Sequence, residues 1–297
     1  MSKDPALPFT KMHGCGNDYV YLDALRDDGV PSTTTALKKL AIALSDRHTG
    51  IGGDGLIVLA PSTKADVRMR MFNADGSESE MCGNGIRCLG KLAYDHRHVK
   101  GKTLSVETGA GVLDLTLQFS GKLCTGATVG MGRPRLIPDE VPVEHAGPGP
   151  RLTLTAVIDG VHHHLLAVGM GNPHAVCFVD DPETFPVAHV GAKIEHDIRF
   201  PRRTNVEFVA RLKDEKGLPV LRQRTWERGS GETQACGTGA CATVVAAILL
   251  EKIPRREAIV RLNGGDLHVT WVEDTEEVVM SGPAVTVFEG TWPLGNR

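Results

Sequence analysis

The sequence predicts an α/β (α+β) protein built as two pseudo-symmetric halves, and three observations carry that expectation. Residues 72–85 (FNADGSESEMCGNG) lie over residues 226–239 (WERGSGETQACGTG) without a gap, at a constant offset of 154 (236 − 82). Phe72 then falls on Trp226, Glu78 on Glu232, Ser79 on Thr233, and Cys82-Gly83 on Cys236-Gly237. Gly14-Cys15-Gly16-Asn17 likewise matches Gly169-Met170-Gly171-Asn172, at an offset of 155 (169 − 14). Both offsets are close to half of the 297 residues, as a duplication would leave them. The length itself suggests two domains, each large enough for its own core.

The elements read in order as short strands with few helices. Asn17 to Asp23 (NDYVYLD) is strand-like, and Thr34 to Arg47 spaces Leu37, Leu40, Ile42 and Leu44 as a helix does. Val67 to Phe72 alternates Val67, Met69 and Met71 with Arg68 and Arg70, the period of a half-buried strand. A helix is expected from Asn84 to about His96, then strands at Leu104–Glu107 and Val112–Phe119 joined through Gly-Ala-Gly. Residues 133–150 hold Pro134, Pro138, Pro142, Pro148 and Pro150 with little periodicity, and read as an inter-domain connection. A hairpin follows, Leu152–Ile158 and Val161–Val168 about Asp159-Gly160. Further strands fit Ala175–Val179, Asn205–Ala210, Val220–Trp226, Ala258–Leu262, Leu267–Val272 and Val278–Ser281, with a helix from Gly237-Thr238 to about Lys252. The expected domains are residues 1–132, carrying Cys82 and completed by a C-terminal strand at about 283–297, and residues 133–282, carrying Cys236.

Composition narrows the function class. The net charge of −3 and the lack of a Lys/Arg stripe with interleaved aromatics argue against nucleic acid as a partner. The longest apolar stretch, Ala242 to Leu250, is too short to span a bilayer, so no membrane partner is expected. MSKDPALPF has no apolar core of a signal peptide. Seven scattered cysteines fit reduced thiols in a cytoplasmic protein better than a disulfide framework.

The matched cysteines carry the chemistry. Each enters a glycine turn that opens a helix, where unpaired N–H groups and the positive end of the helix dipole favour thiolate. Those N–H groups also suit a carboxylate and the charge that develops when its α-proton leaves. Stereoinversion at an α-carbon needs a base on one face and an acid on the other. One thiol from each half supplies that pair, which suggests a site formed by both halves. No phosphate-cradling loop with a partner lysine points to pyridoxal phosphate. The expectation is no cofactor.

The motifs MHGCGNDYV, RHTGIGGDGL, FNADGSESEMCGNGIRC, GNPHAV, NVEF and ERGSGETQACGTGACAT together resemble the diaminopimelate epimerases, cofactor-independent enzymes that interconvert LL- and meso-diaminopimelate. The resemblance runs from Phe9 to beyond Cys241. It implies two similar domains, each a curved mixed β-sheet wrapped around a central helix, and a homodimer acting on a small molecule. It makes Cys82 and Cys236 the acid and base. Asn17, Asn73, Asn172 and Asn205 match asparagines that hold the substrate's ammonium and distal carboxylate, and Arg228 matches the arginine on that carboxylate. Glu227 matches the acid beside the reacting centre's amine, and His174 a histidine that tunes the thiols. Gly83-Asn84 and Gly237-Thr238 match the helix starts that bind the reacting carboxylate. One departure is visible: Gly55 follows Asp54 where some members carry Gln, so Gly55 is left out of the site.

Plainer readings stand beside these. Cys15, Cys88, Cys124, Cys177 and Cys241 read as small buried hydrophobes. Neither Cys82 to Cys88 nor Cys236 to Cys241 has zinc spacing, and no metal site is expected. His162-His163-His164 reads as a solvated strand, because only alternate residues share a face. Glu78 and Glu232 are expected only to support their loops. Among other functions, a proline racemase or hydroxyproline epimerase shares the two-thiol logic, but usually has His where this chain has Asn84. A dithiol redox protein is disfavoured by the absence of C-x-x-C. A non-catalytic amino-acid-binding protein would have no use for paired reactive thiols.

Overall fold

The computed structural model describes residues 6–144 and 151–294, so Pro148, Pro150 and the last residues of the expected C-terminal strand lie outside the described residues. The chain divides into two compact units, Met1–Val129 with Gly282–Arg297, and Gly130–Ser281.

The first unit contains β1 (Ala6–Gly14), β2 (Asn17–Asp23), α1 (Thr34–Ser45), β3 (Gly55–Ala60), β4 (Val67–Asn73), β5 (Glu78–Ser79), α2 (Gly83–Asp95), β6 (Thr103–Thr108), β7 (Gly111–Ser120) and β8 (Leu123–Gly130). The second contains β9 (Leu152–Ile158), β10 (Val161–Gly169), β11 (Pro173–Phe178), α3 (Val187–Glu195), β12 (Asn205–Glu215), β13 (Leu218–Glu227), β14 (Gly231–Thr233), α4 (Gly237–Leu249), β15 (Glu257–Leu262), β16 (Gly265–Trp271) and β17 (Val278–Pro283). The last strand, β18 (Val285–Pro293), returns to the first unit and pairs antiparallel with β1.

Strand pairing shows the repeat directly. In the first unit β18, β1, β2, β3, β4, β6, β7 and β8 lie side by side, parallel at β2–β3 and β4–β6 and antiparallel elsewhere. In the second, β9, β10, β11, β12, β13, β15, β16 and β17 repeat that order, parallel at β11–β12 and β13–β15. Strand β18 therefore fills in the first unit the place that β9 fills in the second.

Each sheet packs a helix on either face, and its central strands are buried on both. In the first unit α1 packs on β2, β3 and β4, while α2 packs on strands as far apart in the sheet as β1 and β7, so the sheet curves around α2. Val20, Leu22, Leu56 and Val58 join Leu37, Ala41 and Leu44 of α1 in one core. The alternate residue Ile57 points to α2, where a Cβ at Gly85 would meet its Cδ1. A strand buried on both faces needs no alternation, and the continuous run GLIVLA of β3 follows. Helix α4 is wrapped in the same way by β10, β11, β12, β15 and β16. Its residues 239–247 are all buried, which is why it is apolar on every side. Helix α2 buries one charge, Arg87, which donates to Gly83 O at 3.0 Å and Asn84 Oδ1 at 2.9 Å.

Differences from the sequence reading have local causes. Residues 133–144 are anchored rather than a free connection. Arg135 N–H donates to Gly169 O at 2.8 Å, and Val141 and Val143 enter the second unit's core. Helix α3 escaped periodicity because Gly191 sits in its middle and no side chain caps it at Pro186. Strand β1 has a bulge between Lys11 and Met12 and a proline at position 8, which blur its alternation.

Candidate active site

The local conformation of the two thiols is nearly the same. Cys82 is the N-cap of α2, at φ −137° and ψ 120°, and Cys236 is the N-cap of α4, at φ −116° and ψ 109°. Each sulfur accepts the N–H three residues on, from Gly85 or Gly239, at 3.4 Å. Sulfur thus takes the role that a hydroxyl or carboxylate oxygen plays in an ordinary cap. First-turn N–H groups of a helix suit an anion.

Around Cys82 the neighbours are mostly neutral. The thiol donates to Asn17 Oδ1 at 3.3 Å, and Asn84 Nδ2 donates to the same oxygen at 3.4 Å. Asn17 Nδ2 donates to Asp54 Oδ2 at 2.6 Å, and the Asp18 N–H reaches that oxygen at 3.0 Å. Arg47 holds both Asp18 and Asp54, at 2.7 and 2.9 Å. Tyr19 lies beside the thiol, its hydroxyl pushed well above the usual range by burial and then by the charges of Cys82 and Asp54.

Around Cys236 the neighbours are ionisable. Burial pushes this thiol well above its ordinary range, Glu227 and Glu207 push the same way, and Thr238 and the Gly239 N–H oppose them. Thr238 Oγ1 stands 3.5 Å from the sulfur, and Glu227 accepts from Thr233. His174, fully buried, contacts Glu207 Oε1 through Nδ1 at 2.8 Å and Asn172 Oδ1 through Nε2 at 2.9 Å. Asn205 Oδ1 accepts the Arg228 N–H at 3.0 Å, while its Nδ2 donates to Pro173 O at 2.9 Å.

Two comparisons bear on what these sites belong to. The family model described as diaminopimelate epimerase matches residues 9–137 and 166–287. A diaminopimelate epimerase of Desulfovibrio desulfuricans is 48% identical over 293 residues, covering 97% of this chain and 98% of that protein. One of Leptospira biflexa is 49% identical over 284 residues, covering 95% and 97%. The chain belongs to the diaminopimelate epimerase family.

Solved structures place the diaminopimelate epimerase fold in wider company. A PhzF-family phenazine biosynthesis protein of Bacillus anthracis superposes with TM-score 0.69 at 16% identity, covering 97% of this chain and 99% of that one. A hydroxyproline epimerase of Agrobacterium vitis gives 0.68 at 14% identity, covering 98% and 93%. At such identities only the fold is shared.

Of the positions suggested by resemblance to diaminopimelate epimerases, Asn17, Asn84 and Cys82 join in one hydrogen-bond network in the first unit. In the second, Asn172, His174 and Glu207 form one network, and Glu227 and Thr238 lie beside Cys236. Gly83 and Gly237 are buried at the first turns. Asn73 ends β4 and donates to Ser77 at 2.9 Å. The Arg228 side chain is exposed, its guanidinium on Arg202 O at 3.0 Å. Gly55 leaves no room for a side chain, since a Cβ there would stand 2.1 Å from Phe72 O.

Sequence reasoning passed over Tyr19, Arg47, Asp54 and Glu207. All four lie in motifs or loops that it quoted, but none is a matched pair in the repeat. Glu78 and Glu232 do support their hairpins. Arg70 Nε donates to Glu78 at 3.0 Å, and Arg224 Nε donates to Glu232 at 2.7 Å, at equivalent places in the repeat. Asp23, His96 and His98 form the one group among the described residues with metal-ligand types close together. Both rings contact Asp23 Oδ2 at 2.7 Å, which ties the end of α2 to β2 and needs no ion.

Proposed function

We propose that this chain interconverts LL- and meso-2,6-diaminopimelate by cofactor-independent proton transfer, with Cys82 and Cys236 as the acid–base pair. The observation that carries this reading is the duplicated N-cap thiol, set within a family of diaminopimelate epimerases. Inversion takes a proton from one face of the α-carbon and returns one to the other, and a thiol/thiolate pair does both without an electron sink. The first-turn N–H groups of α2 and α4 stabilise the carboxylate as it takes up negative charge. Asn17, Asn73, Asn172 and Asn205 hold the ammonium and distal carboxylate groups, joined by Arg228 through two parallel hydrogen bonds. Glu227 holds the reacting centre's amine, and His174 tunes the Cys236 thiol. The product belongs to lysine and peptidoglycan precursor synthesis, which fits a cytoplasmic enzyme. Among the described residues, no helix is long and apolar enough to cross a membrane.

A homodimer is part of the proposal. Val285, Val287 and Phe288 expose apolar surface on β18, with Val287 at 54% and Phe288 at 47% exposure. Exposed apolar side chains grouped on one strand suit an interface between two copies of the chain.

Incubation of the purified protein with LL-diaminopimelate in D2O, without added cofactor, tests the reaction. The expected product is meso-diaminopimelate with deuterium at the inverted α-carbon. Absence of both, or activity lost to a chelator and restored by metal, would overturn the proposal.

A further inference from the structure

The pseudo-symmetry supplies an internal control for each residue near Cys236. On β2 and β3, Tyr19 pairs with Gly55 and Tyr21 with Ile57, while on β11 and β12, His174 pairs with Asn205 and Val176 with Glu207. His174 therefore occupies the place of Tyr19, and Glu207 the place of Ile57. The helix glycines agree: a Cβ at Gly85 would meet Ile57 Cδ1 at 2.5 Å, and a Cβ at Gly239 would meet Glu207 Oε1 at 2.6 Å. Ile57 is fully buried, so the fold is satisfied by an apolar side chain at this position.

Glu207 is a costly alternative. It is also fully buried, and its Oε2 has no hydrogen-bond partner among the described residues. A buried ion pair commonly stabilises no better than apolar residues of similar volume. The pair with His174 therefore answers to something other than folding. The same imaginary Cβ at Gly239 would lie 3.2 Å from both Cys236 Sγ and Gln223 Nε2. Glu207 and the thiol thus border one atom-sized space that only glycine leaves open.

Resting on the reading of Cys236 as an acid–base group, we propose that Glu207 is a positioning residue: it orients the His174 ring between itself and Asn172, and supplies the charge against which the Cys236 thiol works. Both ring nitrogens face oxygens, Glu207 Oε1 at 2.8 Å and Asn172 Oδ1 at 2.9 Å, so the ring is held from both sides. Among the described residues, Glu227 follows the end of β13's pairing with β12, and the titratable groups of the strands packed on α4 include Cys177 of β11, whose thiol burial pushes up to about 12, and side chains of β10, β15 and β16. Arg261 pairs with Asp266 and His268 with Glu257 across β15 and β16, and on β10 His163 packs on Phe185 and His164 contacts Thr155.

The test is the pH dependence of thiol alkylation by iodoacetamide, read separately at Cys82 and Cys236 by peptide mass spectrometry. It is run on wild type, Glu207→Gln and Glu207→Ile, the last borrowing the first unit's own residue. Removing a carboxylate makes the thiolate easier to form. The Cys236 curve should move down by about one pH unit, while the Cys82 curve stays fixed. With diaminopimelate as substrate, kcat should fall about tenfold or more with little change in KM, one catalytic group being disoriented. A folded variant with an unmoved Cys236 curve overturns the proposal, as does failure of both variants to fold. A shifted curve in a protein that does not epimerise diaminopimelate would sink the substrate assignment and leave Glu207's role standing.

Discussion

At the scale of single residues, the two thiols dominate. In the proposed two-thiol mechanism, replacing either Cys82 or Cys236 by Ala removes one of two proton-transfer groups, so kcat should fall by at least about 10²–10⁴-fold. Neither change deletes a large core side chain, and thermal unfolding should show the fold retained. Near wild-type turnover in Cys82→Ala would rule out the two-thiol mechanism. Arg228 belongs to this scale too. Because its guanidinium is exposed and, among the described residues, donates to the carbonyl of Arg202, it is placed to meet a ligand without breaking a buried pair. Arg228→Ala should lower kcat/KM by about 2 kcal/mol, the low end for removing one partner of a charged hydrogen-bonded pair. Lys should restore only part of this, lacking the planar fork. Proline, without a distal carboxylate, should be a poor substrate, and its rapid racemisation would favour the proline racemase reading.

At the scale of elements, buried thiols other than the matched pair make alkaline stability a readout of α2 and β11. Burial pushes the Cys88 thiol of α2 up to about 11, and the Cys177 thiol of β11 up to about 12. Both values are raised above that of the unfolded chain, about 8.5. The folded state then holds these protons when the unfolded state has lost them. Their contribution is complete below about pH 8.5 and declines as pH climbs towards 11–12. Urea unfolding midpoints measured from pH 8 to 11 should therefore fall. The Cys88→Ala, Cys177→Ala double variant should start lower, because two buried sulfurs are gone, yet lose less across the same range. An unchanged slope would show that these thiols titrate alike in both states.

At the scale of the whole molecule, β18 is the element on which the first unit depends. It runs antiparallel along β1 from the Ala6–Pro293 pair to the His13–Val285 pair. Truncation after Pro283 would strip β1 of that ladder and expose Phe9, which packs edge-on against Phe288 at 5.8 Å. Loss of soluble protein, or fast amide exchange confined to the first unit, is the expected result. Unchanged exchange along β1 would contradict it. The same strand carries the proposed dimer face. A Val287→Lys, Phe288→Glu variant should sediment as a monomer, whereas a wild type that already sediments as a monomer would remove the dimer from the proposal.

The sequence by itself determined what is local or repeated. Periodicity marked α1, β4 and the β9–β10 hairpin, because the pattern of burial along those segments is set by their own geometry. The offset of the two C-G-x-G motifs singled out Cys82 and Cys236, because a helix start is a local property of the chain. The tertiary structure decided what depends on residues distant in sequence. Strand β3 is buried on both faces, so its register could not be read from alternation. The position of β18 beside β1 joins two ends of the chain across nearly its whole length. Glu207 was invisible as a site residue because a glutamate in a strand pattern reads as solvent-facing. Only strand pairing, which sets it where the first unit has Ile57 and brings it to His174 and Gly239, makes it a buried charge at the thiol.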